Sequence, residues 1–245
     1  MANDRSDKTP APATRSDPAP QSARPEIDAF IARARSLTPS LEPGQRGRLI
    51  FALDATMSRQ PTWDEARRLQ ADMFSEAAAV GGLDVQLVYY RGLAECRASP
   101  FVSDARKLGA LMEKIHCRGG ETQIGRVLAH ARKEAEARKV QALVFVGDAM
   151  EENVDHLCAT AGELGLLGVP AFMFQEGGDP IAERAFREIA RLTRGAYCPF
   201  DVGAAHQLRD LLRAVAAYAA GGMKALADLS RRQGAGALRL LEQLR

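Results

Sequence analysis

The chain has 245 residues, 46% hydrophobic and 26% charged, with 33 Lys and Arg against 31 Asp and Glu. That is a globular composition with room for one sizeable core plus extensions, and its charge balance excludes a large uniform field for capturing nucleic acid or an anionic membrane. No apolar run reaches the roughly 20 residues that span a bilayer, and MANDRSDKTP at the start has no hydrophobic leader core, so the expectation is a cytoplasmic protein with no nucleic-acid and no membrane partner.

Residues 1–25 contain no Val, Ile, Leu, Phe, Tyr or Trp, and Pro10, Pro12, Pro18, Pro20 and Pro25 deprive the backbone of donors. Such a segment cannot offset its ordering entropy by burial, which predicts a disordered tail. Within 26–46, Ile27, Phe30, Ile31 and Ala34 have helical spacing and make either a short docking helix or a partly ordered arm ahead of a linker.

From Arg48 onward the pattern alternates between buried strand and amphipathic helix. Arg48 to Asp54 is a short apolar run ending in a carboxylate, as in a central parallel strand. Thr62-Trp-Asp-Glu65 has the form of a capping box opening a helix whose inner face is Ala66, Leu69, Met73, Phe74 and Ala77. Two strands, Asp84 to Tyr90 and Ala94 to Ala98, flank a turn at Arg91-Gly92 and pair antiparallel. A helix near 103–115 and the Gly119-Gly120 break lead to a second helix with Ile124, Val127, Leu128 and Ala131 inside. Next come the strand Ala142 to Val146 and a helix capped by Asn153, with Val154, Leu157, Cys158, Ala161 and Leu164 inward. The strand Val169 to Phe174, an Asp179-Pro180 helix start, the strand Ala196 to Phe200 and a helix over 204–220 complete the series. Strands alternating with helices predict an α/β, doubly wound, mostly parallel sheet covered on both faces, with a domain over 47–220. The segment 221–245 adds an appended helix with a Leu238, Leu241, Leu244 stripe, which either packs on the domain or docks a partner. Cys96, Cys117, Cys158 and Cys198 stand apart without metal-ligand spacing and read as inert thiols.

In doubly wound sheets ligands sit beyond the carboxyl ends of the strands. There the sequence places Asp54, Thr56 and Ser58 at alternate positions, Thr122 after Gly119-Gly120, and Asp148 after the next central strand. Two carboxylates and three hydroxyls are hard oxygen ligands, suited to Mg²⁺, Mn²⁺ or Ca²⁺ rather than zinc or copper. A divalent ion would also remove the repulsion between the two carboxylates. Each segment also has a plainer reading, as a satisfied loop, a helix cap or a turn.

In order and spacing, Asp54-Ala-Thr56-Met-Ser58, Gly119-Gly120-Glu-Thr122 and Val146-Gly-Asp148 resemble the metal-ion-dependent adhesion site (MIDAS) of von Willebrand factor type A (VWA) domains, as in a bacterial-type cytosolic member of the family. The resemblance covers residues 48–219, with Thr56 in place of the usual Ser and Gly147-Asp148-Ala149 in place of Thr-Asp-Gly. It implies a six-stranded sheet in the order 3-2-1-4-5-6 with one antiparallel edge strand, an ion held by Asp54, Thr56, Ser58, Thr122 and Asp148, and a partner protein whose acidic side chain or C-terminal carboxylate completes the shell. It also implies a binding module and not an enzyme, with partner binding coupled to the last helix.

The alternative is a metal-dependent phosphohydrolase on an α/β fold. A haloacid-dehalogenase phosphatase needs a second carboxylate two positions after the first, where Thr56 stands. The glycine spacing Gly120 to Gly125 mimics a P-loop, but Arg126 and Val127 occupy the lysine and hydroxyl positions. A dinucleotide fold needs glycines after the first strand, and DATMSRQ has none. Trp63, next to the metal loop, is either a core anchor or a contact residue.

Overall fold

The computed structural model describes residues 46–78, 81–201, 204–232 and 235–244. The tail expected over 1–25 and the helix and linker expected over 26–46 lie outside these residues, Arg46 excepted, as does the side chain of Ser58. Strand β1 (Gly47–Asp54) is buried along its whole length. Its side chains alternate, with Leu49, Phe51 and Leu53 in one apolar cluster and Ile50 and Ala52 in another, so it needs cover on both faces.

A 3₁₀ turn (Met57–Arg59) runs straight into α1 (Gln60–Ala78), followed by β2 (Leu83–Arg91), β3 (Glu95–Val102), α2 (Ala105–Met112), α3 (Ile124–Ala137), β4 (Ala142–Gly147) and α4 (Val154–Leu166). Then come β5 (Ala171–Glu176), α5 (Pro180–Thr193), β6 (Ala196–Phe200), α6 (Ala205–Arg232) and α7 (Ala235–Gln243). The sheet order is β3-β2-β1-β4-β5-β6, with β2 and β3 antiparallel and the other neighbours parallel. This is the expected doubly wound sheet. Helices α1, α2, α6 and α7 pack on one face, and α3, α4 and α5 on the other. Strand order reverses at β1, so the crevice between β1 and β4 is the switch point where such sheets place ligands.

Local chemistry sets the helix starts. Asp104 accepts from Lys107 N at 2.8 Å, and Asn153 from His156 N at 3.1 Å. Asp179 accepts from Ile181 N and Ala182 N, with Pro180 fixing the first helical residue.

Four expectations need correction. The Thr62 capping box does not form, because α1 already begins at Gln60 and the Thr62 hydroxyl donates to Glu176 instead. Strand β5 lies two residues further along than Val169 to Phe174, ending on buried Gln175 and Glu176. Val154 is 40% exposed rather than inward, since it opens α4 ahead of the first buried position, Leu157. Helix α6 does not stop near 220; Gly222, at φ 65°, kinks it and the helix continues to Arg232. Beyond it Ala237 and Leu240 are the buried apolar side chains of α7, and Leu238 is exposed.

Helix α7 seals the edge of the sheet. The Gln243 amide accepts from Tyr197 N and donates to Tyr197 O, both at 2.7 Å, in the manner of a neighbouring strand. Two residues on, Pro199 has no N–H to offer, and Asp201 N donates to Gln207 Oε1 at 3.1 Å. The outward backbone groups of β6 are thereby blunted against pairing with another chain. Gln243→Ala is expected to cost about 1–2 kcal/mol, the usual penalty for stranding buried polar groups. Urea unfolding and hydrogen exchange at the Tyr197 amide check this, and unchanged exchange would show that α7 does not close the edge.

Candidate metal centre at the carboxyl ends of β1 and β4

Register brings the two carboxylates together. Leu53 pairs with Val146, so Asp54 lies opposite Gly147 and Asp148 is one residue further. Asp54, 3% exposed, accepts a hydrogen bond from Thr56 N at 2.7 Å, which folds the loop back over the strand end. Burial pushes the Asp54 carboxyl above its usual range and the Asp148 charge adds to this, against the lowering effect of the Thr56 bonds and of Arg59. Thr56 is itself buried at the start of the 3₁₀ turn that carries Ser58.

Thr122 sits in a loop at the same end of the sheet that is locked on both sides. Gly120 packs so closely on the β2–β3 turn that a Cβ there would lie 2.2 Å from Gly92 O. On the other side Thr122 N donates to Glu151 Oε2 at 3.1 Å, and Thr122 Oγ1 accepts from Glu151 N at 3.0 Å. Glu152 then caps α3 from a distance, accepting from Ile124 N and Gly125 N. Thr122 is therefore not the N-cap of α3; Gln123 holds that position without a side-chain cap. The Thr122 loop and the Asp148 loop are joined into one unit.

Tyr90 stands across the sheet from Asp54 and is fully buried. Burial first, and then the Asp54 charge, push its hydroxyl well above the usual phenol range. That hydroxyl faces the Asp54 carboxylate without a well-formed hydrogen bond among the described residues. On the other flank Arg59, 4% exposed, ion-pairs with Glu176 through Nη1 and lies 3.8 Å from Asp148 Oδ2. Both line a cleft of about 550 Å³ together with Pro61, Asp148, Phe200 and Leu208.

The residues present fit a hard divalent cation. Among the described residues no group of three His, Cys, Asp or Glu could hold a metal, so an ion here would need hydroxyl oxygens beside the two carboxylates. The mutual repulsion of Asp54 and Asp148 is a condition that a divalent cation relieves, and the buried Tyr90 hydroxyl, without a well-formed partner, can take a water of such an ion. Thr56, Thr122, Asp54 and Asp148 gather at one end of the sheet, and the Ser58 backbone lies in the same turn.

No family model matches the chain, and no curated protein is similar to it in sequence. Solved structures are similar in fold. A von Willebrand factor type A protein from Catenulispora acidiphila aligns at TM-score 0.58 and 16% identity over 72% of this chain and 43% of its own. The SpRpn10 VWA domain aligns at TM-score 0.52 and 12% identity over 64% of this chain and 89% of its own. An aerotolerance-related membrane protein from Bacteroides fragilis gives TM-score 0.52 at 20% identity, over 68% and 96% of the two chains. The fold is VWA-like. No described helix of this VWA-like chain is long and apolar enough to cross a membrane.

Several residues around this crevice escape a reading of the sequence. Arg59, Thr62 and Glu176 form a buried polar network joining α1 to β5, and Glu151 and Glu152 brace the Thr122 loop. The acidic pair after Met150 was the available signal, two carboxylates directly beyond the Asp148 loop. Trp63 is a core residue, 1% exposed, with its Nε1–H donating to Met112 O at 3.3 Å.

Proposed function

We propose that the chain is a protein-binding module that holds a divalent cation, Mg²⁺, Mn²⁺ or Ca²⁺, and through it recognises an acidic side chain or C-terminal carboxylate of a partner protein. The observation that supports this reading is the register that sets Asp54 and Asp148 together at the switch point of a VWA-like sheet, with Thr56 buried in the loop that follows Asp54. Asp54, Thr56, Ser58, Thr122 and Asp148 would hold the ion. When bound it supplies an electrophilic centre for an incoming carboxylate, left strong because most of its protein ligands are neutral hydroxyls. The Thr56 N–H orients Asp54, and the Glu151 and Glu152 braces keep Thr122 at a fixed distance from the Asp148 loop.

The surroundings support a protein ligand. Met57, Leu93, Val154 and Ile181 are exposed by 63, 75, 40 and 49%, and each follows the carboxyl end of a different parallel strand. They lie on the end of the sheet that carries the carboxylates, where a partner could bury them around a central polar anchor.

Calorimetric titration with Mg²⁺ tests the reading. The wild type is expected to bind one ion, and the Asp54→Ala/Asp148→Ala variant none. Thr56→Ser is expected to keep the affinity and Thr56→Val, equal in shape, to lower it by about 5- to 150-fold, the effect of about 1–3 kcal/mol for a lost oxygen contact. Equal affinity in Thr56→Val would reduce Thr56 to a structural turn residue.

A further inference from the structure

Arg59 directly follows the loop of candidate ligands, is 4% exposed, and approaches the Asp148 carboxylate of the candidate centre. Its Nη1 makes a close ion pair with Glu176, whereas Asp148 Oδ2, at 3.8 Å, is at the outer limit of such a contact. Glu176 is 5% exposed and also accepts the Thr62 hydroxyl, so it is fixed from a second direction. Arg59 closes the 3₁₀ turn that runs into α1, so its backbone cannot withdraw from the site without unwinding that junction. The geometry is that of a cation anchored on one carboxylate while within reach of another.

We propose that Arg59 is a tethered competitor of the divalent ion for Asp148, restrained by Glu176, and that this restraint sets how tightly the centre binds metal. The inference rests on the metal-binding reading above and adds a residue to it. A guanidinium close to Asp148 opposes a second cation by direct repulsion and by occupying the carboxylate's lone pairs. Glu176 weakens both effects by drawing the guanidinium's charge toward β5. The cleft of about 550 Å³ bordered by Arg59, Asp148 and Glu176 leaves this network open to one side.

Two substitutions push the affinity in opposite directions, which general destabilisation cannot imitate. Glu176→Gln removes the anchoring charge and keeps the size; the guanidinium then turns to Asp148, and Mg²⁺ affinity by calorimetry is expected to fall about tenfold. Arg59→Gln/Glu176→Gln replaces the ion pair by two amides; affinity is expected to rise about tenfold above wild type, with the near-ultraviolet dichroism of buried Trp63 unchanged. If the double variant loses that signal, Glu176→Gln alone decides: weaker binding supports the competitor, and equal or tighter binding overturns it. If wild type binds Mg²⁺ and all three proteins agree within twofold, Arg59 has no such role and the metal centre stands. If none of the three binds Mg²⁺, the metal reading falls and takes this inference with it.

Discussion

Asp54→Asn is expected to lower divalent-cation affinity by about 100-fold or more, because it removes the buried charge at the centre of the site while keeping its shape. The same substitution is expected to stabilise the metal-free protein. Asp54 is 3% exposed, and burial followed by the Asp148 charge hold its carboxyl above the usual range. The native state therefore binds this proton more tightly than the unfolded chain does. Stability from this group falls as pH rises from the unfolded value of 3.8 through the raised native one, and at neutral pH the ionised Asp54 is a cost. Asparagine can still accept from Thr56 N and carries no charge to desolvate. In chelator, Asp54→Asn should melt above wild type at pH 7, and the gap should narrow toward pH 4; in Mg²⁺ the order should reverse. A variant that melts below wild type in chelator at pH 7 would show that Asp54 is a structural anion and not a ligand awaiting a cation.

Arg59→Ala is expected to cost about 3–5 kcal/mol, because Glu176 keeps its buried position and loses its counter-ion. In a chain of this size that lowers the melting temperature by about 10 °C. The Thr62 hydroxyl still donates to Glu176, but a neutral hydrogen bond does not replace a paired guanidinium. The loss should shrink when Glu176→Gln is added to Arg59→Ala, because the buried charge that needs a counter-ion is then gone. A fall of only a degree or two at pH 7 would mean that Glu176 finds water or another donor, and that the network does not tie α1 to β5.

The doubly wound sheet is legible because β1, β4 and β6 are short apolar runs flanked by turn residues, and Asn153 and Asp179-Pro180 mark helix starts by their own chemistry, whereas the strand order follows only from the resemblance to VWA domains. A hydrophobic pattern ends β5 at Phe174, yet the strand continues through Gln175 and Glu176. These two are buried because distant groups satisfy them: the Tyr197 hydroxyl donates to Gln175 at 2.8 Å, and Arg59 and Thr62 serve Glu176. Partners far apart in sequence leave no periodic trace. Gly221-Gly222 marks a true irregularity, but the burial of Ala219, Ala220, Ala225 and Leu226 on either side keeps the helix going through it. Among the candidate ligands, Asp54, Thr122 and Asp148 stand out in the sequence as polar residues at ends of apolar or glycine-marked segments. Arg59 does not, because nothing in Ser-Arg-Gln-Pro distinguishes a buried guanidinium from a solvated one.

Anomalous diffraction from crystals of the full chain grown with Mn²⁺ tests the central claim most directly. One strong anomalous peak is expected between Asp54 and Asp148, lost in the Asp54→Asn protein. An ordered, empty crevice in crystals saturated with Mn²⁺, or a peak only at surface carboxylates elsewhere, would contradict it.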